Sequence, residues 1–123
     1  MQMVIDPASP VPPFEQLRRR LIDAIDTGEL APGARLPTVR RLAEDLGLAP
    51  GTVARAYREL EAADVIETRG RNGTFVAPQG DAALKEAQRA ASAFAAQIRA
   101  LRLNPEQALA LARAALRDAP STS

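Results

Sequence analysis

The sequence contains no cysteine, histidine or tryptophan, and its aromatic residues are limited to three Phe and one Tyr. Without cysteine there are no disulfides or thiol nucleophiles. Without cysteine and histidine, zinc clusters and histidine-based acid–base catalysis are excluded. Four aromatic side chains are also too few to predict stacking on single-stranded nucleic acid. We therefore expect no metal, no cofactor and no enzymatic activity.

Long apolar runs are absent as well. No segment approaches the ~18 consecutive apolar residues of a membrane-spanning helix, and the N-terminus lacks a basic segment followed by an apolar one. We expect a cytoplasmic protein that makes no membrane contact. The 46% of apolar residues suffice for a folded core, and 123 residues allow one ordinary domain, or a small domain with an appendage.

Opposite charges nearly cancel, with 16 Lys and Arg against 15 Asp and Glu, so net charge alone predicts no partner. Their distribution is more informative. Residues 35–58 contain five arginines and two acids, and the next arginines are Arg69 and Arg71, whereas acids collect at 23–29 and 59–64. This separation of signs makes the middle of the chain a candidate surface for an anionic partner.

Proline, glycine and hydrophobic spacing divide the chain into segments. A proline-rich start predicts an extended arm, two amphipathic stretches near the end predict helices, and the middle has the pattern of a small domain. The predicted segments are the arm at 1–12, the domain at 13–77, a linker at 78–80, the helical region at 81–119 and a disordered tail at 120–123.

Within residues 13–77 the pattern predicts three helices and a β-hairpin. The expected helices are 13–28, 38–47 and 50–63, and the expected strands are 65–69 and 74–77. Asn72-Gly73 favours a tight turn, and Arg35-Leu36 is expected to add a short strand. This order is that of a winged helix-turn-helix, in which a helix fits the major groove of DNA and a basic hairpin contacts phosphates or the minor groove.

Five short motifs at matching separations resemble the GntR family of bacterial transcription regulators, and specifically its YtrA-like subgroup. They are Pro13-Phe14-Glu15-Gln16-Leu17, Gly28-Glu29-Leu30-Ala31-Pro32-Gly33, Leu36-Pro37-Thr38-Val39-Arg40, Val53-Ala54-Arg55-Ala56-Tyr57-Arg58-Glu59-Leu60 and Gly73-Thr74-Phe75-Val76. The resemblance implies a mainly α protein with a winged helix-turn-helix and a two-helix dimerisation region. It also implies a homodimer that binds double-stranded DNA at a palindromic operator, usually as a repressor and often beside transporter genes.

Candidate DNA contacts on the helices begin with Arg40, whose counterpart in similar proteins touches a base or a phosphate. Thr52, near the start of the third helix, can offer a hydroxyl group to DNA or can cap that helix. The free N–H groups of that first turn favour a phosphate. Arg55, one turn further on, is long enough to donate two hydrogen bonds to guanine. We expect Arg40, Arg55 and Arg71 to converge on one exposed surface.

In the hairpin, Arg69 and Arg71 flank Gly70, which allows close approach of the backbone to phosphate or to the minor groove. Weaker DNA-binding candidates are Arg35, Arg41 and Arg58, since an exposed arginine in an arbitrary protein usually serves solubility or a salt bridge. Arg58 is further weakened by nearby acids that are expected to hold it, Glu59 and Glu61.

The turn before the third helix departs from the family pattern. Ala49 and Gly51 stand where relatives commonly have Asn, Ser or Thr, so a usual N-cap and a usual polar base contact are both missing. More of the base recognition is then expected from Arg55.

The C-terminal region has apolar residues at heptad spacing, which favours helix pairing. Two helices alone bury little apolar surface, so we expect a hairpin that pairs with a second subunit. The predicted dimerisation residues are Leu84, Ala87, Ala91, Phe94, Ile98, Leu101, Leu109, Ala112 and Leu116. The sequence leaves open whether a small-molecule effector binds, because two helices can hardly enclose one, although a cleft between subunits could. The alternative to DNA binding is a winged-helix protein-interaction module.

Overall fold

The computed structural model describes residues 4–118, and the predicted disordered tail at 120–123 lies outside these residues. The chain forms five helices and one two-stranded antiparallel sheet within the described part, which confirms the predicted mainly α fold with a small β-hairpin. In chain order the elements are α1 (Pro13–Asp26), α2 (Val39–Leu46), α3 (Pro50–Ala62), β1 (Ile66–Thr68), β2 (Thr74–Val76), α4 (Ala82–Ala100) and α5 (Pro105–Asp118).

The core lies where α1, α2 and α3 pack together and the hairpin closes one side. Helix α1 contributes Leu17 and Leu21, which are fully buried, and they meet Leu42 from α2 and Leu60 from α3. Val76 of β2 completes this core. The spacing of three to four residues between the α1 leucines places both on one helix face, as the sequence predicted. This core fixes the orientation of α3.

Helix α2 has a defined capping residue at each end. The Thr38 side chain accepts a hydrogen bond from the backbone N–H of Arg41 at 3.1 Å, so Thr38 is the predicted N-cap of α2. Gly47 ends α2 in the left-handed conformation, with φ 67°. Tyr57 of α3 donates its hydroxyl hydrogen to the carbonyl oxygen of Pro37 at 2.7 Å, and burial raises the pKa of Tyr57 to about 12. Helix α3 is therefore tied to the start of α2.

The hairpin pairs Ile66 with Val76 and Thr68 with Thr74. The intervening turn is a 3₁₀ turn at Gly70–Asn72, so Asn72-Gly73 is not the two-residue turn that this pair favours. Residues 33–36 hydrogen-bond to the other edge of β2, and Arg35 pairs with Phe75 as an isolated bridge. The expected short strand is thus reduced to a bridge, which still anchors the connector to the hairpin.

The N-terminal arm folds back on α1 through one side chain. Gln16 accepts a hydrogen bond from the backbone N–H of Asp6 and donates to the carbonyl oxygens of Asp6 and Val11. The described part of the arm has turns and bends rather than the uniformly extended conformation that its prolines suggested.

Helices α4 and α5 begin at the predicted caps. Asp81 accepts from the N–H of Leu84, and Asn104 and Gln107 exchange two hydrogen bonds as a capping box. Helix α4 approaches the winged domain at Gln88, whose side chain exchanges two hydrogen bonds with the backbone of Gln79.

The same stretch of α4 lies against a glycine. A Cβ built on Gly33, which has φ +82°, would be 3.0 Å from the carbonyl oxygen of Gln88. No other residue would fit this approach without movement.

Candidate nucleic-acid interface

Neighbouring arginines of α2 differ in their partners. Arg40 is exposed and has no ion pair in the part of the chain that the structure describes, whereas Arg41 lies 3.3 Å from Asp45 one turn later. The side chain of Arg41 remains 72% exposed, so water screens this pair. Arg40 therefore has its guanidinium available for an external anion.

The first turn of α3 has no side chain that caps its backbone N–H groups. Ala49 is the N-cap residue and makes no side-chain cap, and Pro50 has no N–H. The N–H of Thr52 donates to the carbonyl of Ala49, which leaves Gly51 as the residue of this turn whose N–H has no acceptor among residues 4–118. The expectation of several free N–H groups is corrected to one. Gly51 is exposed and nothing lies within 4 Å of a Cβ built there, so a phosphate can approach it closely.

Arg55 lies against α1 in the free protein. Its guanidinium carbon is 3.7 Å from the centre of the Phe14 ring, a cation–π contact. Its Nε is also 3.4 Å from a carboxylate oxygen of Glu59, and the side chain is 58% exposed. Contact of Arg55 with a base would therefore compete with its contacts to Phe14 and Glu59.

The expectation that Glu59 and Glu61 hold Arg58 is wrong. Glu59 lies beside Arg55 and, at 3.9 Å, Arg18, while Glu61 accepts a hydrogen bond from the hydroxyl of Thr68. Arg58 is exposed and forms no ion pair within the described residues. Glu59 follows Arg55 by four positions on α3, so their side chains lie on the same face of the helix. This i, i+4 spacing favours their pairing over the pairing of Arg58 with the adjacent Glu59.

The two arginines of the hairpin turn have different surroundings. Arg69 is 21% exposed, lies 4.0 Å from the centre of the Phe75 ring and donates from Nε to Glu67 at 2.8 Å. Arg71 is exposed and has no acidic partner in the described chain, while Gly70 between them has φ +53° and open space around it. Arg71 is thus available to DNA, whereas Arg69 is turned toward the protein.

Arg35 comes from the connector before α2 and reaches the same turn. A Cβ built on Gly73 would lie 3.1 Å from the Nε of Arg35, so this guanidinium lies against the backbone of Gly73. Arg35 has no ion pair among the described residues. The arginines of residues 35–71 without an acidic partner are therefore Arg35, Arg40, Arg58 and Arg71.

Three of the predicted DNA-binding elements surround one shallow groove of about 270 Å³. Val39 at the start of α2, Ala54 and Arg58 of α3, and Thr68 and Thr74 of the hairpin line it. The groove shows that the start of α2, the middle of α3 and the hairpin are neighbours. Convergence of Arg40, Arg55 and Arg71 on one surface stays a prediction.

Sequence reasoning missed the contacts that hold the predicted residues in place. Phe14 supports Arg55 from α1, and Glu59 joins Arg55 to Arg18. The contacts of Phe14 with Arg55 and of Arg18 with Glu59 have no local signal, because α1 and α3 are distant in sequence. The free N–H of Gly51 belongs to the free N–H groups that the sequence predicted for this turn, because the first N–H groups of a helix have no acceptor within it.

The described residues contain no group of acidic, histidine or cysteine side chains arranged to hold a metal ion. Within the same part of the chain, none of the helices is long and apolar enough to cross a membrane.

The model of the gntR family of bacterial regulatory proteins matches residues 13–76, just over half of the chain. The chain is 58% identical over 72 residues to the HTH-type transcriptional regulator Rv1152 of Mycobacterium tuberculosis, covering 58% of this chain and 60% of that protein. It is 38% identical over 82 residues to the HTH-type transcriptional repressor YtrA of Bacillus subtilis, covering 67% of this chain and 63% of that protein. The matched segments thus span less than two thirds of these relatives.

Among solved structures, the chain is similar to YtrA from Sulfolobus acidocaldarius, a GntR-family transcription factor. The identity is 35% and the TM-score is 0.57, over 63% of this chain and 80% of that one. The motifs, the winged helix-turn-helix and these similarities agree. The chain belongs to the GntR family of bacterial regulatory proteins, and its similarity to two YtrA proteins supports the YtrA-like subgroup.

Proposed function

We propose that this protein is a homodimeric repressor that binds double-stranded DNA at a palindromic operator. The observation that supports this most directly is the set of exposed arginines without acidic partners, Arg40, Arg58 and Arg71, on the elements that surround the groove beside α3. Unpaired guanidinium groups are favourable partners for phosphates and for guanine edges.

The proposed complex places the N-terminal part of α3 in the major groove. Gly51 offers its free N–H to a phosphate, and Arg40 lies on the neighbouring helix α2. Arg71 at the exposed end of the hairpin contacts a phosphate or the adjacent minor groove. Arg55 leaves Glu59 and contacts a base, because the i, i+4 ion pair in water costs little to break.

The C-terminal helices supply the second half of the proposal. Large apolar side chains are exposed on α4 and α5, including Leu84, Phe94, Leu101, Leu109 and Leu116. The α4 members of this set have the heptad spacing of a helix-pairing surface. We infer that they are buried between two subunits, which places two copies of α3 on half-sites about one turn of DNA apart.

Occupation of a promoter by this dimer would block transcription. Repression is proposed because the relative from Bacillus subtilis is named a repressor, and control of a transporter operon is proposed from the family resemblance. The protein-interaction alternative predicts no DNA affinity that depends on salt and no effect of removing Arg40 or Arg71.

Selection from random duplexes, followed by fluorescence anisotropy on the selected sequence, tests the proposal. We expect an inverted repeat and a slope of roughly −7 in log affinity against log salt, because about four phosphates contact each subunit. A scrambled duplex of the same length and composition is the control. No enrichment of a sequence, or equal affinity for the scrambled duplex, would contradict the operator proposal.

A further inference from the structure

A cavity of about 330 Å³ lies between the hairpin turn and α4. Three arginines, Arg35, Arg69 and Arg71, are among the residues that line it, and α4 contributes Ser92 and Ala96. The ring of Phe75 forms an apolar part of the lining. The cavity is therefore formed by the winged domain and the first C-terminal helix together.

The electrostatics of the cavity are unbalanced. No residue that lines the cavity has a carboxylate. Glu67, outside the lining, contacts a lining arginine, because its carboxylate pairs with the Nε of Arg69. The Nη2 atom of Arg69 is buried and has no hydrogen-bond partner within the described residues. An unsatisfied buried donor on a charged group costs free energy, so a small shift of the Arg69 side chain toward an acceptor in the cavity would be favourable.

We propose that this cavity binds a small organic anion through a carboxylate or phosphate group. Such a group offers several acceptor oxygens to the three guanidinium groups, and its charge compensates theirs. The volume is at the lower end of the range for small-molecule sites, while Phe75 and Ala96 provide apolar contact for a short carbon skeleton. The site goes beyond the proposed DNA binding and does not depend on it.

The apolar ring and the α4 wall favour a small molecule over a DNA phosphate. A phosphate of the duplex can be reached by the exposed Arg71, but Arg69 is only 21% exposed and lies against the Phe75 ring. A free anion can enter a space of this size, whereas a phosphate within a duplex brings its neighbouring sugars with it. The experiment that follows distinguishes a free anion in the cavity from a DNA phosphate.

The test is isothermal titration calorimetry of the full chain, without DNA, at constant ionic strength. Inorganic phosphate and succinate are the probes, and glycerol is the neutral control. We expect saturable binding of one or both anions and none of glycerol. Preference for phosphate or for succinate identifies the group that the site selects, and either result supports the proposal.

Substitution of the α4 wall locates the binding without removing an arginine. Ala96→Glu introduces a carboxylate that competes with the ligand for the guanidinium groups, and we expect anion affinity to fall at least tenfold. Ala82→Glu is the matched control, because it makes the same change at an exposed position of α4 about 21 Å away along the helix axis. We expect it to bind anions as the unmodified chain does.

Two results would overturn the proposal. In the first, neither anion shows saturable binding; if operator DNA binding then falls with Ala96→Glu and not with Ala82→Glu, the occupant of the cavity is a DNA phosphate. In the second, Ala96→Glu binds the anions unchanged although circular dichroism shows a folded protein. Because the calorimetry contains no DNA, its failure leaves the proposed repressor function intact, and loss of DNA binding leaves the anion site intact.

Discussion

In the winged helix-turn-helix, from α1 to β2, the leucines of the helices are directed into a shared core, and Leu17 and Leu21 have no exposed surface. In α4 and α5 most leucines are exposed, up to 78% for Leu116, and Ala108 is the one buried apolar residue of these helices in the described chain. Both regions have helices of comparable length and amphipathic spacing. They differ in whether the apolar face has a partner within the chain.

This difference indicates how each region obtains its stability. The winged domain buries its apolar face internally, so its folding depends on one chain. The apolar faces of the C-terminal helices are exposed to water. For each Å² of apolar surface that a partner could cover, this exposure costs about 25 cal/mol of free energy. A second subunit would recover that free energy. Four sets of substitutions, in decreasing order of expected effect, test the two regions.

Phe94→Asp combined with Ile98→Asp should abolish dimerisation. Each dimer would lose four apolar side chains, worth about 1.5–3 kcal/mol each when buried, so we expect the dissociation constant to rise at least about a thousandfold. Operator affinity should fall in parallel, because a monomer contacts one half-site. Analytical ultracentrifugation measures the dimer. If the double variant still sediments as a dimer, the interface lies on another surface. The control is Ala82→Asp, which lies outside the heptad positions and should leave the dimer unchanged.

Leu60→Ala and Leu109→Ala should destabilise the protein in different ways. Leu60 is buried in the winged core, so its truncation should lower the free energy of unfolding by about 2–5 kcal/mol at any protein concentration. Leu109 is exposed in the monomer, so its truncation should lower only the concentration-dependent part of the stability. Thermal melts at several concentrations separate the two. An equal, concentration-independent loss in both variants would remove the contrast between the regions.

Arg40→Ala and Arg41→Ala form a matched pair on neighbouring positions of α2. Removal of the unpaired Arg40 should weaken operator binding by about 1–3 kcal/mol, or roughly tenfold to a hundredfold, if it contacts a guanine or a phosphate. Removal of Arg41, which pairs with Asp45, should change affinity by less than about threefold. Fluorescence anisotropy at fixed salt gives both values. Equal effects would show that the ion pair does not distinguish these arginines.

Ala49→Asn should stabilise α3 by about 0.5–2 kcal/mol. Ala49 is the N-cap residue with an extended backbone, φ −66° and ψ 141°, and makes no side-chain hydrogen bond. An Asn side chain at this position can accept from a free N–H of the first turn. A thermal melt should show a higher midpoint, and Ala54→Asn within the helix is the control that should show a lower one. No rise for Ala49→Asn would mean that the cap geometry cannot be satisfied.

Most of the fold could be predicted from local sequence, because its helix ends are set by residues with local chemistry. Thr38, Gly47, Asp81 and Asn104 cap or end helices as expected, and the core leucines follow helical spacing. The hairpin turn was less predictable. Asn72-Gly73 favours a two-residue turn, but the pairing of Thr68 with Thr74 requires a longer connection.

The candidate site was less predictable than the fold because its arginines are sorted by contacts between distant segments. Arg40 and Arg55 are equally polar in sequence, yet only Arg55 meets an aromatic ring, from Phe14 of α1. Arg69 and Arg71 are two residues apart, but only Arg69 lies against Phe75. These differences between arginines depend on how helices and strands pack against each other. The spacing of residues within one element carries no information about that packing.

The absence of a side chain at Gly33 permits the close approach of α4 at Gln88 to the winged domain. In a twofold dimer the angle at which α4 leaves the winged domain would determine how far apart the two copies of α3 are held. A larger side chain at Gly33 would tilt α4 outward, and the preferred operator would change in the number of base pairs between its half-sites rather than in their sequence. In the proposed dimer, the absence of a side chain at Gly33 would thus help to set the spacing between the operator half-sites.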